Sequence, residues 1–74
     1  VQKIFGRPEQ EPEEEAMLEA EEAVQAVIKT GRIRELEAQN APIRALQHQI
    51  VQRYGLQSES RGQDPNRQVV VLPW

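Results

Sequence analysis

Residues 43–60 read IRALQHQIVQRYGLQSES, and the fold depends on where this stretch changes its period. Ile43, Leu46, Ile50 and Tyr54 recur at helical spacing and form one apolar stripe. Gly55 then ends the helix, and residues 56–61 continue as a strand. Just upstream, Asn40 is placed to cap the helix. Pro42 suits its first turn, where no amide donor is needed.

Downstream, GQDPN at 62–66 holds the glycine, Asp-Pro and asparagine of a turn. A last strand follows over 67–72. Its VVVL run, 69–72, is apolar on both faces, which suits the centre of a sheet, and Pro73 stops it. Upstream of the helix, RIRELE at 32–37 alternates weakly and is a short strand candidate.

An earlier helix is expected over 13–30. Pro12 and then Glu13, Glu14 and Glu15 open it, acids being favoured at the positive end of a helix dipole. Met17, Ala20, Val24, Val27 and Ile28 make its buried stripe, Lys29 lies in the last turn, and Gly31 stops it. Residues 1–12, VQKIFGRPEQEP, keep no period and read as a linker. With Val1 rather than Met in first place, a fragment of a longer parent protein is expected.

The element order is thus helix, strand, helix, strand, strand. Such a chain makes a two-layer α+β domain, a three-stranded sheet with both helices packed on one face. Glycines and prolines fall at the boundaries, so local and global signals agree.

Length and composition narrow the function. A chain of 74 residues is one domain and buries only about 60% of its unfolded surface, so a deep enclosed active site is not expected. It has no cysteine, which removes disulfides and Cys-based zinc sites. No apolar run approaches the roughly 20 residues of a membrane span, and no secretory apolar core leads the chain. A cytoplasmic location and a monomeric isolated domain are the expectations.

Charge is split unevenly. Residues 1–30 carry three bases and eight acids, whereas 31–74 carry six arginines and four acids. The balances of −5 and +2 give the overall −3. The second half is therefore the part suited to an anionic partner.

Arg44 and His48, one helical turn apart, stand side by side on the border of the apolar stripe, about 40° apart on the wheel. A border arginine lays its stem on apolar surface and sends its guanidinium to water. The pair reads either as helix-edge packing or as part of a ligand-binding face. Gln47 lies within the apolar arc, which implies a buried amide or a slightly rotated helix.

Arg44 and His48 form an Arg-x-x-x-His signature, and the sequence after them is more specific. Tyr54-Gly55-Leu56, then Ser58, Ser60 and Gly62, then Pro65-Asn66-Arg67 together resemble the C-terminal half of the R-three-H (Arg-x-x-x-His) family. The likeness spans roughly residues 13–72, so 13–74 is taken as one domain of this kind. Gln47 departs from the aliphatic residue that often precedes the family's histidine.

The resemblance implies a small single-stranded nucleic-acid-binding module, the kind found beside KH domains and beside helicase or ATPase modules. By that likeness the binding pair is Arg44 and His48; Arg67 and Arg61, which flank the same turn, are placed to extend a basic track, and Ser60 and Ser58 are hydroxyls within reach of phosphate. Arginine offers paired donors to phosphate oxygens, and His48 a hydrogen bond that becomes a charge on protonation. Three or four such cations would give a log–log salt slope of about −2 to −3. Few aromatics are free to stack: Phe5 lies in the linker, Tyr54 faces the core, and Trp74 stands at the end.

Two other classes compete. A protein-interaction or intramolecular packing domain would use the acidic face of Glu14, Glu15, Glu21 and Glu22, although such runs usually line a solvated helix. An enzyme is the least supported. His48 has no cysteine to activate and no carboxylate orienter among its chain neighbours, and no phosphate loop, metal-ligand cluster or nucleophile turn appears. No catalytic residue, metal or cofactor is implied.

Overall fold

The computed structural model describes residues 12–74; the linker assigned to 1–12 therefore lies, but for Pro12, outside the described residues. Five elements follow in order: α1 (Pro12–Thr30), β1 (Arg34–Glu35), α2 (Ala41–Arg53), β2 (Gln57–Arg61) and β3 (Gln68–Leu72). This is the expected α+β arrangement. The weak alternation of RIRELE yields a ladder of only two residues, extended by Leu36 N–H donating to Val69 O at 2.9 Å.

The sheet is antiparallel throughout, in the order β1-β3-β2, with the valine run of β3 in the middle. Its register decides which side chains share a face. Ser58 pairs with Val71 and Ser60 with Val69, whereas Glu59 pairs with Val70 and Arg61 with Gln68. Residues directly opposite point the same way and alternate along the strand. Ser58 and Ser60 thus share the face of Val69 and Val71, which join the core with Ala20, Ala23, Val24 and Val27 of α1 and Ile50 and Val51 of α2. Both helices lie on that face. Val70 points to the other side, between Glu35 and Glu59 in register, and is also fully buried.

The helix termini use the residues expected of them. Asn40 caps α2, its Oδ1 accepting from Ile43 N–H at 3.2 Å, and Pro42 sits in the first turn. Gly55, at φ +81°, supplies the left-handed turn after Tyr54, and Leu56 N–H donates back to Val51 O at 3.2 Å.

The buried faces of both helices are turned from those expected. In α1, Ala16 and Ala23 face inward while Ile28 is 43% exposed. In α2, Arg44, Gln47, Ile50 and Val51 form the buried arc, and Ile43 and Leu46 are only half-buried. Tyr54, expected in the core, is 43% exposed. The cause lies in the contacts: α2 packs against α1 as well as the sheet, so its inner arc must meet the α1 backbone. Gln47 does so by donating Nε2–H to Ala16 O at 3.1 Å. Its Oε1 is buried and has no partner among the described residues.

Candidate nucleic-acid interface

The seam between α2 and the edge strand β2 carries His48. Its Nδ1 lies 2.6 Å from Ser58 Oγ and its Nε2 2.9 Å from Ser60 Oγ. Register explains the fit: two serines on alternate positions of one face present hydroxyls one strand repeat apart, and a ring held over them reaches both. Both ring nitrogens are thus taken, so neutral His48 has no free donor to offer a ligand directly. Burial of the ring, and then the charge of Arg44, hold its pKa below the ordinary 6.5.

Arg44 corrects the expectation of a water-reaching guanidinium. The residue is only 8% exposed. Its Nη1–H donates to Gln39 O at 2.6 Å and to Asp64 Oδ1 at 3.3 Å. A main-chain carbonyl in the loop before α2 thus fixes the fork, and the Asp64 carboxylate on the hairpin turn, whose side chain is 76% exposed, faces it from outside. Both bonds run from Nη1; among the described residues the other guanidinium donors have no partner.

Arg67 stands at this same end of the molecule. Gln39 N–H donates to Arg67 O at 3.2 Å, so the loop that holds Arg44 is itself tied to Arg67. One residue ahead of Gln68, Arg67 has the parity of Val69, on the helix side of the sheet. It is half-buried, and its Nη1–H donates to Gly62 O at 3.1 Å, spanning the turn.

Arg61 is not part of this group. It shares the opposite face with Glu59, and its Nε–H donates to Glu59 Oε1 at 3.0 Å. The structure therefore brings together Arg44, His48, Ser58, Ser60 and Arg67, and sets Arg61 apart. Asp64 is the residue that sequence reading missed. Its spacing shows only a turn, and no pattern in the chain points to a contact with Arg44.

Among the described residues, no group of three or more His, Asp and Glu side chains could hold a metal ion. None of their helices is long and apolar enough to cross a membrane. What the seam offers is two hydroxyls, an imidazole and two guanidinium groups, all half-buried or nearly buried, a set suited to an anion's oxygens.

No curated protein matches the chain. The sequence model of the R-three-H domain does, over residues 15–73, from the first turns of α1 to the end of the sheet. That match spans both helices, the whole sheet and the Arg44/His48 pair, and so the chain belongs to the R-three-H domain family, a family of nucleic-acid-binding modules.

Proposed function

We propose that this domain holds the sugar-phosphate backbone of single-stranded DNA or RNA, as a non-catalytic accessory unit of a larger protein. The observation that carries the reading is the row formed by His48, Ser58 and Ser60, with Arg67 and Arg44 at its end. Successive phosphates of an extended strand could meet hydroxyl donors along the seam and guanidinium donors at the turn.

In this reading the residues divide the work. Ser58 and Ser60 present hydroxyls that His48 orients. Arg67 and Arg44 supply charge and planar paired donors. Arg61, on the other face, takes no part. Two cations at roughly −0.7 per phosphate give a salt slope of about −1.4, shallower than a count of arginines would suggest. So modest an affinity suits a unit whose parent supplies further contacts by linkage.

The test is titration of fluorescently labelled single strands at low salt. Wild type should bind, His48→Ala/Arg67→Ala should lose most of that binding, and Arg61→Ala should keep it. Equal affinities across all three would remove the seam from the site. No binding by a folded wild-type domain would reject the reading.

A further inference from the structure

We infer that Asp64 stands in for a nucleic-acid phosphate on Arg44, so that its carboxylate must leave before the strand can dock and thereby sets the affinity of the site. The inference rests on the proposed nucleic-acid binding and adds a residue that weakens it.

The two contacts of Nη1 differ in kind. The bond to Gln39 O is short, at 2.6 Å, and comes from a main chain tied to β3 through Gln39 N–H and Arg67 O. The contact to Asp64 Oδ1 is 3.3 Å. A well-formed ionic N–H···O bond is nearer to about 2.7–2.9 Å, and a strong arginine–carboxylate pair is usually two-pronged. The Asp64 contact is long and single. Gln39 fixes the guanidinium, and the carboxylate rests against it loosely.

Surroundings favour displacement. The Asp64 side chain is 76% exposed against 10% for that of Arg44, so the acid can swing into water while the base cannot. Both partners of the guanidinium, Gln39 and Asp64, line one open cleft of about 440 Å³, with Ala38, Asn40, Ala41 and Pro65. The cleft borders both partners of the guanidinium rather than Arg44 itself, so the carboxylate has open space beside it to move into. A phosphodiester arriving in its place has two non-bridging oxygens for the guanidinium donors that Asp64 leaves unused.

An acid in this position has two effects. It keeps a nearly buried cation partnered when no strand is bound. It also makes docking an exchange of one anion for another, which lowers the net gain.

The experiment is anisotropy titration of labelled oligothymidylate with wild type, Asp64→Asn and the charge-matched Glu59→Gln, each checked for folding by circular dichroism. Glu59→Gln removes the same charge from the opposite face and measures the general effect of net charge. A long, single contact to an acid this exposed corresponds to about two- to fivefold in affinity, so Asp64→Asn should bind tighter than Glu59→Gln by that factor. The excess should vanish in an Arg44→Gln background; if Arg44→Gln does not fold, the comparison of the two acid variants decides alone. Equal or weaker binding by Asp64→Asn, with wild type binding, overturns the inference and leaves the nucleic-acid reading standing. Failure of every folded variant to bind overturns that reading, and this inference with it.

Discussion

Nδ1 of His48 lies 2.6 Å from the hydroxyl oxygen of Ser58, and the same ring reaches Ser60 through Nε2, so a single side chain ties α2 to the edge strand. The proton inventory of this bridge depends on the ring. A neutral imidazole has one donor and one acceptor, so one serine must turn its O–H into the ring. A protonated ring donates at both nitrogens, and both serine protons then become available to an incoming oxygen.

Stability and binding should therefore respond to pH in opposite directions. His48 has a folded pKa below the unfolded 6.5, so the unfolded chain takes up its proton first as pH falls. Stability is complete above about 6.5, declines below it, and levels off under the folded pKa. Affinity for a single strand should rise as pH falls toward the folded pKa, because the charged ring and the one hydroxyl proton it frees both favour phosphate. Urea melts and anisotropy between about pH 5 and 8, with His48→Gln as reference, check both slopes. A flat binding profile in wild type would leave His48 a purely structural tie.

Arg67 and Arg61 lie on opposite faces of the same hairpin and should behave differently. Arg67→Ala removes a cation from the helix side and should weaken binding by roughly 1 kcal/mol, with the salt slope falling by about 0.7. Arg61→Ala takes its charge from the other face and should leave the slope unchanged. The log of affinity against the log of salt, measured for the two variants, decides this.

Gln47→Met tests the orphaned carbonyl. The substitution gives up one amide bond to Ala16 O, worth about 1 kcal/mol, and removes a buried acceptor whose isolation costs about 1–3 kcal/mol. The expected result is a domain equal to wild type or more stable by about 1 kcal/mol in urea denaturation. A loss beyond about 1 kcal/mol would show that the amide is better satisfied than its geometry implies.

Gly62→Ala should destabilise the hairpin. The residue holds φ +94°, and an added Cβ would stand 2.9 Å from Asn66 O, a main-chain atom that cannot easily yield. A cost of about 1–3 kcal/mol is expected from left-handed backbone and steric conflict together. Because Arg67 spans the turn to Gly62 O, oligonucleotide affinity should drop as well. Thermal melting and titration of the same sample test both.

The order of elements could be read in the sequence because Gly31, Gly55, Pro42 and Pro73 interrupt runs of different period, and because three consecutive valines fit few places other than a central strand. The orientation of the helices could not. Hydrophobic periodicity assigns weight to Ile43, Leu46 and Tyr54 and none to Gln47 or Arg44. Yet the buried arc of α2 includes an amide that finds one carbonyl and a guanidinium that finds another. Alanines of α1 are discounted for a similar reason: Ala16 and Ala23 bury little area, but their small size suits close helix contact. The Arg44/His48 pair could be found from the chain. Arg44's partners could not, since Gln39 acts through its main chain and Asp64 approaches from a distant turn.

The grip of Gln39 O on Arg44 turns the segment joining β1 to α2 into a ruler. Its span is set by how far one side chain can stretch as well as by the gap between two elements. Lengthening it by a single residue would carry the carbonyl out of range, even if strand and helix stayed where they are. If a nucleic-acid strand docks on Arg44 as proposed, tolerance to insertion should be poor at 37–40, a surface connection where added length usually does little harm.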